Sequence, residues 1–176
     1  MKSVHYYPPK SSFNSMNKDY QVIIQKILSN DNLKKMLYYP VKECMSMPAL
    51  TQEQTYSLIE NGNIRIVPKI TVEDDLPIYI VVTFNNFYTN VSNPEYRDCT
   101  LSFDIICHFD TWNLGDFKLR PYSIAGELDG MFNDTNLIGM GKLYFVGADY
   151  TIMDSNMAAL SLRYRLIHGE TEDRNV

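Results

Sequence analysis

Asp104, His108 and Asp110 recur at every second or fourth position of one stretch, DCTLSFDIICHFD, so an extended chain would turn all three to the same side. A carboxylate–imidazole pair can move protons or hold a metal ion, but either task needs a third group, and no partner with specific spacing is present. Glu73, Asp74 and Asp75 form a second cluster of acids. They lack the alternating ligand spacing of a calcium loop, and a solvated link explains them equally well. The three cysteines, Cys44, Cys99 and Cys107, include no CxxC pair and have no His partner at metal spacing. Gly139-Met140-Gly141 is an isolated GxG, read as a turn into a strand rather than a phosphate loop. No P-loop, dinucleotide fingerprint, HExxH or GxSxG pattern occurs, so no catalytic residue, cofactor or metal is expected.

The acid–imidazole stretch needs a scaffold, and the surrounding residues supply one. Leu101, Phe103, Ile105, Cys107 and Phe109 alternate against Ser102, Asp104 and His108, the mark of a strand with one buried face; Ile106 is the apolar exception. After TWNLGDFKLRP, the residues Pro121, Ile124, Ala125, Leu128, Met131 and Phe132 recur at helical spacing. Pro in the first turn suits a helix start, where its missing N–H costs nothing. This helix is the nearest cover for the strand's apolar face. Trp112, the only Trp, lies in the crossover between them and is either a lid on the core or an anchor for a partner.

Along the rest of the chain, residues 1–17 read as an extended arm, and Tyr6-Tyr7-Pro8-Pro9 favours a polyproline-like path. It is either a frayed terminus or an arm laid on a neighbouring subunit and anchored by its two tyrosines. A helix is predicted from Lys18 with Asn17 as N-cap, then a short one capped by Asp31 and ended by Tyr38-Tyr39-Pro40. Val41 to Leu50 is a loop tacked to the core by Cys44, Met45 and Met47. Thr51 and Gln54 make a capping box for a third helix that stops at Asn61-Gly62. Strands are predicted at Asn63–Ile70 (an edge strand broken by Pro68), Ile78–Tyr88 (central, apolar on both sides), Lys142–Val146 and Met157–His168, with a bulge or break at Gly147-Ala148-Asp149. In the last strand Leu160, Leu162, Tyr164 and Leu166 face one way and Arg163 and Arg165 the other. The two arginines are either solvated edge positions or, with Tyr164, part of a subunit contact, where Arg and Tyr concentrate.

The order predicts an α+β domain over residues 18–169: a mostly antiparallel sheet with N-terminal helices and one crossover helix packed on one face. Residues 170–176 form a polar tail. At 176 residues and 45% hydrophobic content the chain can bury a full core. Its 13 tyrosines favour half-wet interfaces, although a codon bias toward Asn, Tyr and Lys has the same effect. The net charge of −5 argues against a dedicated DNA-binding face but not against a channel through which DNA slides. No apolar run is long enough for a bilayer, and an odd cysteine count without a signal peptide fits a reducing cytosol.

The helical start YQVIIQKILSNDNLKKMLYY, the strand-to-helix unit FDIICHFDTWNLGDFKLRPYSIAGELDGM and the final strand LSLRYRLIHGE together resemble the tail-terminator and tail-completion (head–tail joining) proteins of tailed-phage necks. The likeness spans most of residues 17–169 and lies in layout more than in fixed residues. It implies a virion structural protein with no turnover and no cofactor, forming a homo-oligomeric ring of six or twelve copies between portal or connector proteins and the tail, with DNA passing through non-specifically. Six copies would carry about −30, a lumen that repels DNA rather than grips it. The loops Thr89–Arg97 and Asp110–Lys118 would dock on adjacent rings. The subunit interface expected on this basis comprises Tyr6, Tyr7, Asp104, His108, Trp112, Arg163, Tyr164 and Arg165. A collar ring of a short-tailed phage, a monomeric protein-binding module, and an enzyme using Asp104 and His108 are the alternatives.

Overall fold

A computed structural model describes residues 13, 15–66, 77–137 and 140–169. The helical start holds α1 (Met16–Leu28), α2 (Asp31–Tyr38) and α3 (Gln52–Glu60). Helix α1 begins before the predicted Lys18. Met16 is buried, and Ser15 rather than Asn17 holds the cap position, without a side-chain cap bond. The core has drawn the helix start inward at the expense of the predicted arm. Helix α2 is capped by Asn30, not Asp31: the Asn30 side chain accepts from Leu33 N–H at 2.9 Å. Asp31 instead occupies the first turn, where its carboxylate suits the positive end of the helix and pairs with Lys34 at 2.7 Å. The α3 capping box is formed as predicted, with Gln54 N–H to Thr51 at 3.2 Å and Thr51 N–H to Gln54 at 2.9 Å. Gly62 at φ 80° follows, a conformation that glycine adopts without a Cβ clash. In the loop between α2 and α3, Cys44 is buried but Met45 is exposed, so Met45 does not tack it to the core.

The strands are β1 (Ile64–Arg65), β2 (Ile78–Thr89), β3 (Arg97–His108), β4 (Asn136–Leu137), β5 (Met140–Lys142), β6 (Tyr144–Ile152) and β7 (Met157–His168), with α4 (Arg120–Phe132) between β3 and β4. They form one sheet in the order β1-β2-β3-β7-β5-β4, with β6 also pairing on β7. Every ladder is antiparallel except the two-residue pairing of β1 on β2. This is the predicted α+β class. The predicted edge strand at 63–70 is reduced to Ile64–Arg65 within the described residues. Pro68 and the acidic link at 72–76 lie outside them, as do Tyr6, Tyr7 and the polar tail.

All four helices lie on one face of the sheet, over Ile80 and Val82 of β2, Leu101, Phe103 and Ile105 of β3, and Leu160, Leu162 and Tyr164 of β7. Helix α4 covers β3 as the alternation predicted, with Phe132 stacked 4.9 Å from Phe103. The opposite face is apolar where β2 was expected to be apolar on both sides and where Ile106 interrupts the alternation of β3. Tyr79, Val81, Ile106, Met157 and Ala159 form a second buried apolar cluster there. Ile106, the exception in the strand's alternation, is at its centre. The predicted bulge appears as a register shift between Phe145 and Gly147, opposite Tyr164 and Arg163.

Three polar features tie the helices to one another and to the sheet. Arg120, fully buried at the start of α4, donates from Nε to Thr111 O at 2.8 Å, from Nη1 to Met36 O at 2.6 Å and Tyr39 O at 3.0 Å, and from Nη2 to Val41 O at 2.6 Å. It closes the carbonyl end of α2, where a cation is favoured by the helix dipole. His168, the last residue of β7, meets Asp19 of α1 at 2.7 Å, both of them buried. Tyr164, on the helix side of β7, donates its hydroxyl to Asp129 of α4 at 2.9 Å.

Candidate subunit interface

The acid–imidazole stretch does not close into a reaction centre. Asp104 and His108 do share a face of β3, yet four residues at ~3.3 Å each set them roughly 13 Å apart, with the buried Ile106 between them. Asp104 accepts instead from the Ser161 hydroxyl of β7 at 2.5 Å. Asp110 has left the strand for a short 3-10 turn, Phe109–Thr111. His108 Nδ1 accepts from the Asp110 N–H at 3.2 Å, and the Asp110 carboxylate stands 3.5 Å from the same nitrogen. The pair therefore caps a turn at the surface.

Ser15, Asp19 and His168 form a second group whose residue types invite a nucleophilic reading. Ser15 Oγ lies 3.2 Å from His168 Nε2, and Asp19 Oδ2 lies 2.7 Å from that same nitrogen. A Ser-His-acid relay needs serine and acid on opposite ring nitrogens so that the imidazole can take a proton from one while oriented by the other. All three residues are buried, so the group reads as a structural tie between α1 and the end of β7. No group of three or more metal-ligating side chains occurs among the described residues. The thiols of Cys99 and Cys107 are pushed up to about 12, by burial first and, for Cys99, by the Asp19 and Asp98 carboxylates as well. Neither thiol is an activated nucleophile.

The residues expected at a subunit contact divide by position. Arg163 and Arg165 do point away from the helices; Arg163 is ion-paired with Asp149 of β6, and Arg165 is held by Asp98 at 3.4 Å. Tyr164 is different: it is completely buried, its ring 6.0 Å from Phe103 and its hydroxyl on Asp129. Alternation already placed it with Leu162 and Leu166, and burial removes it from the surface a neighbour could touch. Burial and the Asp129 carboxylate both raise its pKa. Trp112 packs against the core and donates Nε1–H to Cys107 O at 3.3 Å. Its ring also contacts Phe109 at 5.7 Å and Tyr150 at 5.5 Å, so it joins the core to an exposed aromatic corner.

That corner belongs to the surface which reading by residue type missed. Strand β6 has no buried position: Tyr144 is 55% exposed, Phe145 46%, Val146 61%, Tyr150 46% and Ile152 65%. It forms the outer edge of the sheet beyond β7, and no described strand pairs with its far side. In an antiparallel ladder every second residue of such an edge directs its N–H and C=O outward. The opposite edge is protected. Short β1 covers Ile80 and Val81, the Tyr20 hydroxyl accepts from Phe84 N–H at 3.3 Å, and Asn86 at φ 54° breaks the register beyond them. On β6 the corresponding protection is a single bulge and the Asn133 side chain on Phe145 N–H at 3.2 Å. The loop tips are apolar too. Val91 is 95% exposed, and Phe117 is fully exposed on two successive residues of positive φ, Asp116 and Phe117.

No helix among the described residues is long and apolar enough to cross a membrane. No curated protein sequence matches the chain. Among solved structures, a chain from the virion of native gene transfer agent (GTA) particle shares the fold, with TM-score 0.54 and 12% identity over 90% of this chain and 99% of that one. The family model YomW matches residues 30–166, from the cap of α2 to Leu166 near the end of β7, and the chain belongs to the YomW family.

Proposed function

We propose that this protein is a structural subunit of a phage-type virion: a tail-terminator-like ring component of the neck that joins the portal side to the tail and leaves a channel for DNA. The observation that carries the reading is the correspondence of fold, over nearly the whole of both chains, with a chain of a gene transfer agent virion. The surface supports it. Phe117 is fully exposed on left-handed backbone that costs about 1–3 kcal/mol, and burying its ring against a partner would offset that cost. Val91 and Phe117 project from the two connections that would meet the rings above and below, and the exposed edge β6 offers a lateral contact. On this reading the outward polar face, with Asp104, His108, Arg163 and Arg165, and the Trp112 corner lie at or near subunit boundaries. The net charge of −5 per copy keeps a DNA channel non-adhesive. The protein works by shape, without turnover or cofactor.

The test is a native mass measurement of the purified protein together with cryo-electron microscopy of particles that carry it. A closed ring of six or twelve copies at the head–tail junction is the expected result. A strictly monomeric protein that is missing from the particles would overturn it.

A further inference from the structure

We propose that the open edge of β6 is the lateral seam of the assembly, and that its occupant is the N-terminal segment of a second copy of this chain, residues 1–12, added as an extra strand with Tyr6 and Tyr7 as its anchors. The inference rests on the ring reading and adds what holds neighbouring subunits together.

The edge itself gives the first reason. Nine residues of strand carry an outward row of backbone donors and acceptors, flanked by Phe145, Tyr150 and Ile152 on the helix side and Tyr144 on the other. Their ladder partners fix those sides: Phe145 and Tyr150 stand opposite the buried Tyr164 and Leu160, while Tyr144 stands opposite Arg165. Sheet edges that must stay free are shortened, bulged or charged. The β2 edge shows all but the last of these, whereas on β6 the one charge, Asp149, is taken up by Arg163. An edge left open needs an extended partner, because only a strand can satisfy its backbone groups and place alternate side chains in pockets.

Area gives the second reason. With ~150–250 Å² per large aromatic side chain, the exposed parts of Tyr144, Phe145, Val146, Tyr150 and Ile152 come to on the order of 500 Å². That is at the upper end of what a monomer leaves uncovered, and over half of the ~800 Å² that each partner contributes to a stable interface.

Position gives the third. The chain enters the described fold at Phe13, which packs on Phe87 of β2 at 5.1 Å and lies under the Arg97 guanidinium at 4.6 Å. That lies across the ends of β2 and β3, and two residues further on Ser15 meets His168 at the end of β7. A segment that leaves one subunit there and lies on β6 of the next joins two different surfaces, a head-to-tail contact. Contacts of that type close rings, whereas β6 paired with β6 would stop at a dimer. Twelve residues of extended chain span up to ~40 Å: residues 1–7, about 23 Å, can pair along most of β6, and residues 8–12 bridge the two subunits. The segment's composition fits: Val4, Tyr6 and Tyr7 precede Pro8-Pro9, so the strand-competent part ends where the prolines start.

Two full-length variants separate the halves of the seam: Ile152→Lys places a charge on the exposed edge, and Tyr6→Asp combined with Tyr7→Asp removes the anchors. Both alter surface or terminal positions, and circular dichroism with thermal melting verifies that each is folded. Sedimentation velocity is the readout. The seam predicts that each variant alone loses the ring, its association weakened on the order of 30-fold or more. An equimolar mixture recovers dimers but no rings, since each partner keeps one intact half. If the Tyr6, Tyr7 variant associates more strongly than wild type, the segment covers β6 within its own subunit and the proposal fails. If Ile152→Lys is monomeric while the tyrosine variant still associates, the occupant is something other than the arm. Wild-type rings that survive in both variants refute the seam and leave the ring reading standing, whereas a monomeric wild type refutes the ring reading itself.

Discussion

Replacing Arg120 tests how the start of α4 is held to the end of α2 and to the turn after β3. Its guanidinium is fully buried and faces four carbonyls, Met36, Tyr39, Val41 and Thr111, at 2.6–3.0 Å. In Arg120→Ala the Tyr39 and Val41 carbonyls, at the surface end of the cluster, can regain water. Those of Met36 and Thr111, residues 2% and 6% exposed, cannot. Each acceptor stranded in this way costs ~1–3 kcal/mol, and the cavity left by the side chain adds to that. The total, about 3–5 kcal/mol, agrees with the usual cost of dismantling a buried, fully bonded charge. At ~2–4 °C per kcal/mol for a chain of this size, the midpoint of thermal unfolding should fall by roughly 6–20 °C. Arg120→Lys keeps the charge but brings one nitrogen where there were three, so about 2 kcal/mol, or roughly 4–8 °C, is expected. Circular dichroism melts and urea titrations at neutral pH measure both. A loss under ~1 kcal/mol for the alanine variant, or a lysine variant no better than alanine, would refute the idea that this fork holds α2, the following loop and α4 together.

Four further outcomes are expected. Burial and the Asp129 carboxylate raise the Tyr164 pKa, so the unfolded form ionises first, near the ordinary tyrosine value of about 10. Its contribution is whole below that pH and is lost as pH rises toward the folded value, up to ~1.4 kcal/mol per pH unit; Tyr164→Phe should flatten this alkaline limb in urea titrations at stepped pH. The same variant at neutral pH loses only the bond to Asp129, about 1 kcal/mol by urea titration. Buried Cys44, Cys99 and Cys107 should resist a thiol reagent at pH 8 in the native state and all react in denaturant; rapid native labelling of Cys99 or Cys107 would contradict their packing. Thr51→Ala removes the α3 capping box and should cost about 1 kcal/mol in the same titration, with no change in assembly.

Local chemistry was legible where it depends only on near neighbours. The capping box of Thr51 and Gln54, the alternation of β3 and β7 and the stripe of α4 follow from rules of period and cap that act within a few residues. Caps shifted by one or two positions, Asn30 for Asp31 and Ser15 for Asn17, because burial of Met16 and the reach of Asn30 to Glu127 at 2.8 Å favour those frames over the neighbouring ones. Arg120 was hidden for a related reason. An arginine at a helix start reads as a surface charge opposed by the dipole, and only the approach of α2's carbonyl end makes the position favourable.

Side-chain period dictates which face leaves water, so the class of the fold and the side of β3 and β7 that meets the helices follow from the order of residues alone. Packing between distant elements set what those faces mean. It separated Asp104 from His108 along a rigid strand and buried Tyr164 under α4. It also left Tyr144, Phe145, Val146, Tyr150 and Ile152 on an uncovered edge although their types read as core. A residue's hydrophobicity is a property of the residue, but whether anything covers it depends on which strand comes last in the sheet.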